Sequence, residues 1–159
     1  MRFVGEIRDA VPFEADLLEV LQRRSSAIWE SDRAFLEAHP EAIEPPQLAL
    51  AESRVRVAVE PGGRLVGFCV VGPNNGSAVE IEELFVDADA MGVGVGRALV
   101  EDAASRALTM GAGSVTATIN LNAVGFYERV GFAVSGSART QGGDALRVIR
   151  DFRRERPLS

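Results

Sequence analysis

The sequence predicts a mixed α+β (α/β) domain with antiparallel hairpins and at least one helical crossover. Three observations carry this. Val55, Val57 and Val59 alternate with Arg54 and Arg56, the period of a strand with one buried face. Pro61-Gly62-Gly63 then turns the chain into the apolar run 64–71, a hairpin pattern. Residues 94–110 place Val95, Leu99, Ala103 and Ala107 on one side and Arg97, Glu101, Ser105 and Thr109 on another, an amphipathic helix between two strand segments.

The elements follow in order. Residues 3–8 read as a short first strand. A helix comes next, with Pro12 near its first turn and an apolar stripe of Ala15, Leu18 and Leu21–Gln22. A second helix is expected over about 30–38, ending at His39–Pro40 because proline disfavours helix just before it. Residues 40–50 read as a loop broken by Pro45–Pro46. The hairpin 54–71 follows; its second strand is apolar on both faces and therefore central. Residues 72–76 form a second turn, 78–86 a strand, 94–110 the long helix ended by Gly111 and Gly113, and 114–120 another strand. A short helix at 122–130 stops at Gly131, and strands near 132–138 and 145–152 close the domain. The expected layout is one domain over 1–152 and a charged tail over 153–159.

The 159 residues suffice for one domain with a real core. With 47% hydrophobic and 25% charged residues the composition is that of a globular protein. No apolar run approaches about 18 residues, so no membrane span is expected. Acidic residues interrupt the N-terminal apolar positions, against a secretory signal. A single cysteine, Cys69, allows no internal disulfide, and a cytoplasmic location is expected. The net charge of −6 disfavours nucleic acid as a partner.

The most informative segment is Met91-Gly92-Val93-Gly94-Val95-Gly96-Arg97, where a strand hands over to the long helix. Glycines there let backbone approach a ligand, and the helix N-terminus offers unpaired N–H groups that suit a pyrophosphate. The same glycines also suit tight helix packing. A Walker loop fails, because Gly96-Arg97-Ala98 replaces its Gly-Lys-Ser/Thr. A dinucleotide fingerprint fails too: its third glycine falls on Arg97 or Leu99.

In the preceding strand Val79 and Ile81 share one face and Glu80 and Glu82 the other. The phase then slips: Glu83 takes an apolar parity, and Leu84 and Val86 an acidic one, as a β-bulge near Glu82–Leu84 would cause. Such a bulge leaves backbone donors beside a ligand, able to polarise a thioester carbonyl. Clustered carboxylates suit a general base toward an ammonium substrate, directly or through water, and equally a solvated face. Farther on, Asn120-Leu121-Asn122-Ala123-Val124-Gly125-Phe126-Tyr127 follows a strand and contains the only tyrosine of the chain. Its phenol stays protonated near neutral pH and can donate to a leaving thiolate, or serve as a core aromatic.

Together these segments resemble the GNAT superfamily of N-acetyltransferases. Its Gln/Arg-x-x-Gly-x-Gly/Ala turn is matched by residues 91–96, with Met91 in place of Gln or Arg. Its Asn-x-x-Ala-x-x-Phe-Tyr segment is matched by Asn120, Ala123, Phe126 and Tyr127. The resemblance covers about residues 3–152 and implies a central, mostly antiparallel sheet with a splayed strand pair, flanked by helices on both faces. It implies acetyl-CoA as acetyl donor and no metal. Amides from Met91 through Gly92, Val93, Gly94, Val95, Gly96 and Arg97 would hold the pyrophosphate. Backbone of Leu84, Phe85 and Val86 would hold the pantetheine and acetyl carbonyl, with Asn120 on the arm. Tyr127 would protonate departing CoA, and Glu82 first or Glu80 second would take the amine's proton. The acceptor would be an amine on a small molecule or peptide, and a homodimer fits what relatives often form. The alternative is a non-catalytic acyl-CoA sensor on the same fold, the direction in which Met91 leans.

Cys69 sits in an apolar run and reads as core. His39, the only histidine, reads as surface, with no metal-ligand cluster around it. Trp29 and Phe35 read first as packing residues near an acceptor pocket.

Overall fold

The computed structural model describes residues 2–26, 30–140 and 143–155. Trp29 and the last four residues of the expected tail lie outside them. The strands are β1 (Glu6–Asp9), β2 (Val55–Val59), β3 (Leu65–Val71), β4 (Ala78–Val86), β5 (Ser114–Asn120), β6 (Ala133–Thr140) and β7 (Gly143–Asp151). The helices are α1 (Ala15–Ser26), α2 (Glu30–Ala38), α3 (Gln47–Ala51), α4 (Val95–Thr109) and α5 (Val124–Arg129). The seven strands are hydrogen bonded in the order β1-β2-β3-β4-β5-β7-β6. The β4–β5 pair is parallel, whereas β1–β2, β2–β3, β5–β7 and β6–β7 are antiparallel. The chain divides into two compact units, Met1–Val70 with Glu83–Leu99, and Val71–Glu82 with Val100–Ser159.

In the first unit the expected stripe is the buried face of α1: Ala15, Leu18, Leu21 and Gln22 are all buried. Ala15, Leu18 and Leu21 pack with Val55, Val57 and Val59 of β2 and Phe68 and Val70 of β3. Full burial of Leu18 alone contributes about 1.5–3 kcal/mol. The other face of β3 receives the start of α4. A Cβ added at Gly67 would lie 2.9 Å from Val95 Cγ1 and 3.0 Å from Leu99 Cδ1, so glycine is what lets this helix approach. Helices therefore cover both faces here.

In the second unit β5 pairs with β4 on one side, from Ala78↔Ser114 to Ile81↔Ala117, and with β7 along its whole length. The register with β4 ends at Ala117, although β5 runs on to Asn120. Val79, Ile81, Val115, Ala117, Ile119 and Val148 are buried, while Glu80, Thr116, Thr118, Arg147 and Ile149 are half-buried. One face of this part of the sheet is therefore covered and the other is open. The burial alternation of β4 stops at Glu82, and Glu83 to Val86 are all half-buried, where the sequence pattern slips phase.

Several boundaries differ from expectation. The first strand is Glu6–Asp9 rather than 3–8, because its partner ends at Val59, opposite Glu6. Residues 40–50 are not all loop: a 3-10 turn spans Pro40–Ala42, and α3 begins after Pro46. The proline pair that reads as a breaker ends where a helix starts, a position that needs no N–H from proline. The last hairpin is tighter, with Arg139↔Asp144 and Thr140↔Gly143 still in register. The short helix expected at 122–130 is a 3-10 turn (Leu121–Ala123) leading into α5.

Candidate active site

The first unit contains the strand-to-helix turn. Asp87 starts it: its N–H donates to Val66 O at 2.8 Å, fixing the end of β4 to β3. Its carboxylate accepts from the Asp89 N–H at 3.1 Å and from Arg24 Nη2 at 3.0 Å. The same Nη2 reaches Asp89 Oδ2 at 2.8 Å, so the last turn of α1 is tied to the turn after β4. Burial would push the Asp87 carboxyl up, but the Asp89 N–H and the Arg24 guanidinium outweigh it and hold it below its usual range. Arg64 adds a longer contact to Asp89, 3.7 Å. The sequence reading missed Arg24, Arg64 and Asp87; they lie up to 63 positions apart, and no local pattern links them.

Beyond this clamp Gly92 and Gly94 adopt φ of 82° and 92°, a left-handed region that side chains rarely enter. A Cβ at Gly92 would meet nothing within 4 Å, so the turn faces open space. The first helical bond recorded at this end of α4 is Ala98 N–H to Gly94 O, 3.0 Å. The amides of the first helical turn, from Val95 onward, lie at the end of α4 where the intrahelical ladder starts. Met91 and Arg97 are exposed, Val93 half-buried, and Leu84, Phe85 and Val86 half-buried on β4. Open glycine backbone and a 15-residue helix beginning there fit a pyrophosphate by the chemistry of the donor set. Below the turn, a cavity of about 280 Å³ is lined by Leu17, Val20 and Leu21 of α1, by Gly63–Leu65 and by Asp87.

The second unit holds the other expected residues. Glu82 is exposed, and its Oε2 would lie 3.0 Å from a Cβ built at Gly72. Glu80 is half-buried, with Oε1 3.8 Å from Arg147 Nη2. Asn120 is exposed and precedes the 3-10 turn Leu121–Ala123, with no side-chain capping bond. Tyr127 is buried, with edge-on contacts to Phe126 and Phe132, each at 5.2 Å between ring centres. Its carbonyl accepts from the Phe132 N–H at 2.9 Å, fixing α5 against β6. Ala123 and Phe126 are half-buried beside it. Cys69 is buried and makes no disulfide, and His39 is exposed, 3.3 Å from Glu41 and stacked at a tilt on Phe35. Among the described residues no group of three or more His, Cys, Asp or Glu could hold a metal ion.

The sequence profile of the acetyltransferase (GNAT) family matches residues 16–132, well over half of the chain. The chain belongs to the GNAT family. This GNAT chain is 40% identical over 92 residues to the peptidyl-lysine N-acetyltransferase YjaB of Escherichia coli, covering 55% of this chain and 54% of that protein. It is 38% identical over 98 residues to the streptothricin acetyltransferase of Streptomyces lavendulae, covering 58% and 52%. It thus spans about half the length of the curated relatives it matches. Among solved structures, apo YjaB from Escherichia coli superposes with a TM-score of 0.67 at 29% identity, covering 93% and 98% of the two chains. A PaiA N-acetyltransferase from Thermoplasma acidophilum, solved with coenzyme A, superposes with a TM-score of 0.73 at 18% identity over 94% and 99%, a likeness of fold. The mixed, mostly antiparallel sheet with its flanking helices is therefore the GNAT architecture. No helix among the described residues is long and apolar enough to cross a membrane.

Proposed function

We propose that this GNAT protein transfers the acetyl group of acetyl-CoA to an amine acceptor by direct attack. The observation that carries the reading is the open, left-handed glycine turn at the start of α4 in a chain of this family. The names of the relatives support acetyl transfer, to peptidyl lysine in one and to streptothricin in another. In this reading acetyl-CoA supplies an activated thioester. Amides of residues 92–97, with Met91 beside them, bind its pyrophosphate. Backbone of Leu84–Val86, together with Asn120, Ala123 and Phe126, holds the arm and the acetyl carbonyl. Glu82, exposed on β4, accepts a proton from the acceptor ammonium, with Glu80 as the second candidate. The amine forms the new C–N bond as the C–S bond breaks, and the Tyr127 hydroxyl protonates the departing thiolate. Rigid seating of the Tyr127 ring between Phe126 and Phe132 would aim that hydroxyl.

The test is thiol release from acetyl-CoA with a panel of amines. Tyr127→Phe should lower kcat about 100-fold, the usual size of a lost general acid, with little change in the KM for acetyl-CoA. Turnover equal to that of the parent would remove Tyr127 from the mechanism. A panel without any thiol release, alongside tight acetyl-CoA binding, would instead favour a sensor.

A further inference from the structure

The open face of β4, β5 and β7 carries a pair of opposite charges that the glycine and tyrosine segments do not account for. Glu80 pairs in register with Thr116, Thr116 with Ile149, and Thr118 with Arg147, so these side chains form one continuous half-exposed surface. Arg147 Nη1 donates to Thr118 Oγ1 at 2.7 Å, which fixes the guanidinium. Its Nη2 lies 3.8 Å from Glu80 Oε1, an ion pair too long for a hydrogen bond. A guanidinium has five N–H donors, and the hydrogen bond from Arg147 to Thr118 uses one of them. Both side chains are open to solvent, at 43% and 45% exposure. On β6 the residue opposite Arg147 is Gly136, where an added Cβ would meet nothing within 4 Å.

A carboxylate and a guanidinium held side by side complement a molecule that carries an ammonium and a carboxylate on one carbon. Such a zwitterion can lie antiparallel to the pair, its ammonium toward Glu80 and its carboxylate on the planar fork of Arg147. An amine without the carboxylate gains Glu80 but meets the Arg147 cation, a repulsive element that discriminates against it. We infer that the acceptor is a free α-amino acid, with Arg147 as the residue that binds its carboxylate. The inference rests on the acetyl-transfer reading, in which Glu82 or Glu80 faces the acceptor amine. The ordinary alternative is a cross-strand ion pair that only steadies the sheet.

The experiment compares free L-amino acids with their methyl esters as acceptors, following CoA release. The parent protein should favour free acids by about tenfold or more in kcat/KM, the scale of one charge-assisted bidentate contact. Arg147→Gln should collapse that ratio, mainly by raising KM for the free acids, and Arg147→Lys should restore it in part. Arg139→Gln, on the exposed β6 edge, should leave the ratio as it is. If Arg147→Gln does not fold, Thr118→Val, which releases the guanidinium, should raise KM for free acids alone. Esters used as well as acids, or a ratio indifferent to Arg147 and Thr118, would overturn the inference. So would turnover of simple amines with no amino acid accepted, although acetyl transfer would then stand. Absence of any acetyl-CoA binding would defeat the acetyl-transfer reading itself, and this inference with it.

Discussion

Glu14 shows how one residue can organise a junction. It lies in the 3-10 turn Pro12–Glu14 between β1 and α1 and is buried. Its carboxylate accepts from Arg8 Nη1 at 3.0 Å, Arg8 Nη2 at 2.8 Å and the Val11 N–H at 2.9 Å. The Arg8 fork holds this carboxyl below the usual range; burial opposes it, and the Val11 N–H adds to the lowering. A depressed folded-state pKa contributes stability that is present above the unfolded value of 4.5 and is lost as pH falls through the folded one. Glu14→Gln should therefore cost about 2 kcal/mol at pH 7, the scale of hydrogen bonds to a charged group. The gap to the parent should close as the pH falls below about 4.5, where the parent carboxylate takes up its proton. Denaturant midpoints measured from pH 3 to 7 check this; a gap that stays constant across that range would assign the effect to packing. The sequence shows Glu14 three residues after Val11, but not that Arg8 turns back to meet it.

At the scale of elements, the turn into α4 depends on what packs beneath the helix. Gly67 matters here for close approach rather than for its backbone angle. A Cβ would meet Val95 Cγ1 at 2.9 Å, Leu99 Cδ1 at 3.0 Å and the Phe85 carbonyl oxygen at 3.0 Å. The two methyl groups could move, but the carbonyl is backbone. Gly67→Ala should destabilise by about 1–3 kcal/mol and displace the first turns of α4. Acetyl-CoA binding should weaken with it, because the amides proposed for the pyrophosphate lie at that end. Gly62→Ala, in a hairpin turn where an added Cβ meets nothing within 4 Å, should change neither quantity. Calorimetric titration of both variants with acetyl-CoA decides; equal affinities would detach the β3–α4 packing from the donor turn. The elements themselves were legible because each follows a local rule. The stripe Ala15–Leu18–Leu21–Gln22 has helical spacing, and the bounds of β4 and β5 agree with their patterns. α3 was not legible, since Pro45–Pro46 reads the same whether it ends a loop or starts a helix. Arg24 with Asp87, and Arg147 with Thr118 and Glu80, were not legible either, being pairs that only the folded chain brings together.

For the whole molecule the question is how a chain of net charge −6 would bind a polyanionic donor. Its overall field repels phosphate, so binding must come from local donors. In the proposed site Met91 stands where the motif of the resemblance has Gln or Arg, which would shift the task from side-chain charge to backbone N–H groups at the start of α4. Short-range hydrogen bonds of this kind are screened by salt far less than separated charges are, and added salt also damps the overall repulsion. Acetyl-CoA at about a hundredfold excess over Kd should add about 2.7 kcal/mol to stability. For a chain of 159 residues that corresponds to a rise in Tm of roughly 5–10 °C. We expect the rise to keep at least about half its size between about 0.05 and 0.5 M NaCl. Thermal melts with and without acetyl-CoA at the two salt concentrations measure it. If the shift collapses in high salt, exposed cations such as Arg97 carry the phosphates, and the backbone reading of the turn is wrong. If it persists, the glycine turn is sufficient without the side chain that Met91 replaces.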